Sequence, residues 1–418
     1  MERKKSHMQK QDNLKKNYIW NTLGTTFLSF NSLLFMIIVT RINGIEDGGI
    51  FSFSYASACI VNAIALFCGR TYQVTDDNKE VSEATYINTR ILTCVIGAVL
   101  SLGFVLINHY NPGKASIFLA LCVLKCIEAL SDAFYGVLQK RELLYIAGKS
   151  MTYKSLLGLI GFGIIDFYTR NLYMSCMFLV VLNIVFLITY EGRHAHKYVK
   201  FQYGLKKRES LTLIKRSWYT FAFTLIITLI INIPRYIIDR LLDSEAQAIY
   251  GILSMPATFI MLFGQFVLQP SLTSLVEHRE KGLKIEFQRT VRRIVLSIFG
   301  VLIIVLPAAY YIGVPLLGMI YGVDLFAYRW LLLGVIVGGA FYASSTVLLN
   351  ALITMHSTKI QLILQLCMFA VSLVISISVI QWKGLVGSIV SYMLILILQF
   401  ISYFILYEIE LRKSFKKE

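Results

Sequence analysis

SWYTFAFTLIITLIINIPRYIIDRL, residues 217–241, decides the fold. It is a roughly 25-residue apolar segment, long enough to cross a bilayer. Its polar residues are periodic. Thr220, Thr224, Thr228 and Asn232 recur every four positions, and Arg235 and Asp239 extend the series. At about 100° per residue these six share a sector of roughly 120° on one helix face. The remaining surface is Phe, Leu and Ile, so the helix has a lipid side and a side that must meet protein or water. The design occurs twice. Asn21, Thr25 and Ser29 stand in the first half where Thr220, Thr224 and Thr228 stand in the second, and Thr40 and Arg41 match Asp239 and Arg240. RINGIEDGGIF (41–51) then lies over RLLDSEAQAIY (240–250), sharing Arg, Glu, Ile and an aromatic. A duplication is expected, each half beginning with a polar-striped helix.

Composition agrees. The 418 residues are 56% hydrophobic and 15% charged, with a mean hydropathy of +0.66. Such values place the chain among polytopic membrane proteins, all α-helical. About twelve spans are expected, near 18–40, 49–69, 86–107, 115–136, 152–168, 172–190, 217–241, 246–269, 291–312, 325–349, 360–381 and 384–406. The first is too long for a signal peptide and no small-residue cleavage site follows it, so it is read as retained. With the N-terminus inside, about 31 of the 40 basic residues fall in inner segments, which places both termini in the cytoplasm. The net charge of +16 is then a topology signal and an attraction to anionic membrane lipid. No soluble stretch is long enough for a nucleic-acid-binding module, so no nucleic acid is expected as a partner. The longest break is EGRHAHKYVKFQYGLKKRESLTLIKRS (191–217). An even number of spans per half gives both halves one orientation, related by a parallel pseudo-two-fold along the membrane normal. The lobes are expected at 1–205 and 206–418.

Catalytic chemistry finds no foothold. The seven cysteines lie within or at the ends of apolar spans without a CxxC, so neither disulfides nor a zinc site is indicated. The histidines are dispersed, and HExxH, nucleophile-elbow and P-loop patterns are absent. No metal and no cofactor are expected.

Charge inside the membrane is what remains. Span four carries Lys125, Glu128 and Asp132 on one face. Each such charge near the bilayer centre costs on the order of 2.5–3.5 kcal/mol, so an unneutralised trio is improbable. One account is a local Lys125–Glu128 pair with Asp132 hydrated near the inner surface. The other is a trio lining a translocation cavity, with Glu128 or Asp132 accepting a coupling proton. Arg70, Arg90 and Lys154 lie near inner ends of spans, Arg41, Arg235 and Arg240 near outer ends, and snorkelling to headgroups accounts for most terminal arginines. Arg235 fits that account least, because it follows Asn232 and Pro234 on the polar stripe. The stripe threonines have a plainer use, bonding back to the i−4 carbonyl or across to a neighbouring helix.

NYIWNTLGTTFLSFNSLLFMIIVTRINGIEDGGIFSFSYA (17–56) resembles the first hairpin of Wzx-type polysaccharide repeat-unit flippases, members of the multidrug/oligosaccharidyl-lipid/polysaccharide exporter superfamily. EALSDAFYGVLQKRELLYIAGKS (128–150) is similar to that family's first-lobe cytoplasmic turn, and DRLLDSEAQAIYGILSMP (239–256) to its span-seven-to-eight turn. The resemblance implies twelve helices in two six-helix lobes around a central cavity, with alternating access. It implies a bacterial cytoplasmic (inner) membrane location and an undecaprenyl-pyrophosphate-linked oligosaccharide as substrate. A polysaccharide polymerase and chain-length machinery are the protein partners it implies. Pyrophosphate and sugars call for cations and hydroxyl or amide groups. The cavity residues expected to supply them are Arg41, Arg235, Arg240, Arg70, Arg90, Lys125, Asn21, Thr25, Thr224, Thr228 and Asn232, with Glu128 and Asp132 for coupling.

Two other classes compete. A cation-coupled drug exporter of the same superfamily would more typically need cavity-facing carboxylates. Span one has none, span seven has only Asp239 at its end, and Glu128 and Asp132 keep this alternative open. A membrane polymerase or ligase would need a sizeable outer loop, and the longest outer turn is about twelve residues.

Overall fold

The computed structural model describes residues 2–67, 69–75, 81–199, 206–355 and 357–415, without the side chains of 2–14, 71, 72, 75, 207 and 358. Cys68 and the lobe boundary expected near 205 lie outside the described residues. Among the described residues every regular element is helical. Nine helical segments among them are long and apolar enough to cross a membrane.

By compact packing the chain divides into Met1–Leu225 and Ile226–Glu418. The first unit holds α1 (Glu2–Ile42), α2 (Ile45–Ala65), the short α3 (Arg70–Thr75), α4 (Glu83–Asn108), α5 (Pro112–Lys140), α6 (Leu144–Thr169), α7 (Leu172–Phe186) and α8 (Arg193–His196). Helix α9 (Lys207–Leu241) crosses the division. The second unit continues with α10 (Ser244–Glu280), α11 (Lys284–Ala308), α12 (Val314–Tyr321), α13 (Arg329–Thr354) and α14 (Thr358–Ser414).

Side chains that cannot continue a helix set the short turns. Asn111 accepts from the Lys114 amide at 2.8 Å, and Pro112 follows at the first helical position of α5, where its missing N–H costs nothing. Asp243 caps α10 through the Ala246 amide at 2.8 Å. Ser82 and Asn171 cap α4 and α7 in the same way. Helix α14 is two helices joined at Gly384, whose φ of 55° and ψ of −132° a β-carbon would resist. Helices α5 and α6, 29 and 26 residues long, also reach a bilayer's length at about 1.5 Å per residue. Lys125, Glu128 and Asp132 in α5, and Lys154 and Asp166 in α6, interrupt their apolar stretches with charge.

In the first unit α5 is central, packed on α2, α3, α4 and α7. Helix α1 packs along α6 where glycines let two backbones approach. A β-carbon on Gly24 would sit 2.6 Å from the Gly148 carbonyl oxygen, and one on Gly148 would collide with the Trp20 and Asn21 backbone. Between them Phe35 meets Phe162 with ring centroids 4.7 Å apart. In the second unit α13 takes the place of α5, packed on α10, α11 and α14.

Candidate functional site

Four groups of opposite charges in the first unit touch α5, among them Lys140 Nζ at 2.8 Å from Glu83 Oε1. Lys125 Nζ lies 2.7 Å from Glu128 Oε2, donates to the Tyr55 hydroxyl at 3.1 Å, and sits 4.7 Å from that ring's centroid. One helical turn on, Asp132 accepts from the Arg70 backbone amide at 3.2 Å and lies 3.6 Å from the Arg70 guanidinium. Arg90 reaches the same carboxylate at 3.8 Å and donates to the Ala65 carbonyl at 3.2 Å. Arg90 is only 3% exposed, so it does not snorkel to headgroups as terminal arginines are expected to. Burial and a shared carboxylate hold it instead.

The group around Lys154 was not foreseen as a unit. Lys154 on α6 lies 2.8 Å from Glu191, which is 1% exposed. Glu191 also accepts from the Tyr135 and Ser150 hydroxyls, each at 2.5 Å, while Lys154 donates to Ser131 at 3.2 Å. Glu191 sits in a π turn, Leu187–Gly192, that extends α7 into α8. Regular helical spacing misplaces a residue within such a turn, and the acid-poor surroundings of Lys154 gave no sign of its partner. Asp166 was also missed: it is fully buried and accepts from Asn43 and Ser175 at 2.9 Å each.

A small cavity of about 50 Å³ opens between α1, α5, α6 and α7. Its polar lining is Asn31, Glu128, Ser131, Tyr135, Lys154, Ser155 and Asn183. Ligand pockets run from about 300 Å³, so this space suits water or a small cation and not a sugar.

The polar stripes are real helix faces with partly local bonding. Thr25 donates to the Asn21 carbonyl at 2.7 Å, Ser29 to Thr25 at 2.8 Å, and Asn232 to Thr228 at 2.8 Å. Arg235 reaches the Ser254 hydroxyl at 2.9 Å and lies 5.7 Å from the centre of the Tyr250 ring. Thr224, Thr228 and Arg240 are also on α9, with Thr224 and Arg240 exposed. Arg41 is exposed in the last turn of α1, in the first unit, whereas Arg235 and Arg240 belong to the second. The structure thus brings together Lys125 with Glu128, and Arg70 and Arg90 with Asp132.

This fold is that of the membrane transporters of the MOP superfamily. An inward-facing multidrug resistance MATE family transporter aligns with a TM-score of 0.68 at 11% identity, covering 95% of this chain and 99% of the other. The lipid II flippase MurJ in an inward closed conformation aligns at 0.73 and 13% identity, covering 96% and 89%. A curated relative, the capsular polysaccharide biosynthesis protein CapF of Staphylococcus aureus, is 24% identical over 416 residues, 94% of this chain and 99% of that protein. The chain belongs to the polysaccharide biosynthesis protein family, whose pattern matches residues 14–276.

Proposed function

We propose that the chain is a flippase that moves an undecaprenyl-pyrophosphate-linked oligosaccharide repeat unit from the cytoplasmic to the outer leaflet. The polysaccharide family match over 14–276, carried by a transporter fold, is the observation on which this rests. In this proposal twelve helices cross the bacterial cytoplasmic membrane in two lobes, 1–205 and 206–418, with both termini inside and no chemical step. Arg235 and Arg240 in one lobe and Arg41 in the other meet the pyrophosphate. Asn21, Thr25, Thr224, Thr228 and Asn232 offer hydroxyls and amides to sugars, and Arg70, Arg90 and Lys125 supply inner positive charge. Glu128, which lines the small cavity, and Asp132 handle a coupling proton. A polysaccharide polymerase receives the product.

The test is deletion of the chain in its host, followed by labelling of lipid-linked oligosaccharide with a membrane-impermeant reagent on intact and on opened cells. The oligosaccharide should accumulate and react only after opening. Unchanged labelling of intact cells would remove the flippase assignment. A cation-coupled exporter of small molecules is the second reading, favoured by the same Glu128 in its cavity. Loss of dye or drug efflux on deletion, with normal oligosaccharide labelling, would select it.

A further inference from the structure

We propose that the groove between α11 and the C-terminal half of α14 binds one aminophospholipid, its phosphate on Arg292 and Tyr407 and its ammonium on Glu408. The inference needs only a membrane-embedded second unit, and does not depend on what is transported.

The groove has a volume of about 560 Å³, enough for a headgroup and the start of its chains. It opens where the N-terminal end of α11 runs beside the C-terminal end of α14. Its walls grade from polar to apolar. Gln288, Arg289, Arg292, Tyr407 and Glu408 lie at one end, with Ile285 and Val291 among them, and the wholly apolar Val295, Leu296, Leu348, Phe400 and Phe404 continue from it. That grading follows a lipid from headgroup into hydrocarbon.

The polar end is incomplete in a particular way. Arg289 is already engaged by Glu286, at 2.7 and 3.0 Å. Arg292, one turn further along the same helix, has no acidic partner among the described residues. Tyr407 is 4% exposed, and its hydroxyl is buried without a hydrogen-bond partner. A buried hydroxyl without a partner carries a desolvation cost that an acceptor in the groove would remove. A phosphate is such an acceptor for the hydroxyl and for the guanidinium together. Glu408 beside it rules against a purely anionic headgroup and matches one that also carries an ammonium. A cation on one wall, with a neutral donor and a carboxylate on the other, is complementary to a zwitterion with primary-amine hydrogens.

Native mass spectrometry of the full-length, detergent-purified chain tests this with palmitoyl-oleoyl phosphatidylethanolamine, the matching phosphatidylglycerol, and undecaprenyl phosphate as probes. The wild type should take up the ethanolamine lipid over the glycerol lipid by about fivefold. Arg292→Ala should reduce uptake of both by about tenfold. Glu408→Gln should leave total uptake in place and erase the preference. Tyr407→Phe, which removes one oxygen and keeps the ring packing, should weaken ethanolamine-lipid uptake about threefold. Equal uptake of the two lipids by the wild type would overturn the proposal. So would wild-type behaviour of Arg292→Ala or Glu408→Gln, or displacement of the ethanolamine lipid by equimolar undecaprenyl phosphate.

Discussion

Replacing Lys154 with Met strands a carboxylate that has almost no access to solvent. Glu191 is 1% exposed, and its hydrogen-bonding set is the ammonium at 2.8 Å and the Tyr135 and Ser150 hydroxyls at 2.5 Å. Removing one partner of a buried pair costs about 3–5 kcal/mol, because the other charge remains without compensation. For a unit of this size a loss of 1 kcal/mol lowers the melting temperature by roughly 2–4 °C, so the variant should melt about 6–20 °C lower. Lys154→Met/Glu191→Gln removes both charges and keeps an acceptor for the two hydroxyls. It should recover most of that loss, with a coupling of at least about 2 kcal/mol in the double-mutant cycle. The assay is thermal unfolding of purified protein in one detergent, followed by tryptophan fluorescence, with surface polysaccharide measured in complemented cells. A single variant melting within about 2 °C of wild type would show that Glu191 finds water or a proton in place of Lys154, and would refute the estimate.

Arg235→Ala should abolish export with the protein still inserted and abundant, while Arg235→Lys keeps charge without the guanidinium fork and should restore part of it; polysaccharide level against immunoblot level is the comparison. Lys125→Met/Glu128→Met should leave a stable protein, since both charges of the pair go together, but one that no longer exports; wild-type export would reduce span four to structure. Gly148→Ala should lower stability by about 1–3 kcal/mol, because the added methyl meets the Trp20 backbone of α1, and an unchanged melting temperature would show that the two helices can separate freely. Cysteines placed near residues 10, 200, 284 and 415 should react only from the cytoplasmic side and those near 45, 111 and 320 only from outside. Opposite sides for 200 and 284 would rule out twelve spans.

The helical membrane fold was legible because it is written in composition and in periods of 3.6, which need no tertiary knowledge. The stripe of 217–241 lies in one continuous helix, and the local Lys125–Glu128 pair follows from a spacing of three. Partners brought together from different helices were not legible. Asp132 meets Arg70 and Arg90 from α3 and α4, and Lys154 meets Glu191 from a π turn at the end of α7. Each of these acids, taken alone, reads as a residue near the water. Their burial is fixed by packing between helices, and a single sequence records nothing of it. Why Thr25 and Ser29 turn to their own backbone was legible only as one of two options, since the i−4 carbonyl is always available and a neighbour is not.

The fourth long helix of each half shows what the charges do for the architecture. Lipid gives helices no hydrophobic reason to associate, so their arrangement must come from close backbone approach or from directional polar bonds. Helix α5 uses the second. Lys125 ties it to Tyr55 of α2, Asp132 to α3 and α4, and Tyr135 with Ser131 to Glu191 and Lys154, so it is held from three directions by bonds that tolerate little sliding. Helix α13 uses the first. From Trp330 to Thr354 it has no charged residue, and methyl groups added at Gly338 and Gly339 would lie 2.9 Å from the Tyr392 ring and 3.0 Å from Ala257. The ion pairs Glu277–Lys281, Glu286–Arg289 and Glu410–Lys413 in the second unit join residues three or four apart near helix ends, and do not fix one helix against another. The two units have therefore met one packing requirement by two means. The charged means places titratable groups, Glu128 and Lys154, beside a water-sized cavity, where a change of protonation would alter how α5 is held. Glu128 lines that cavity and is bonded to Lys125, so a proton gained or lost there would change a bond that holds α5.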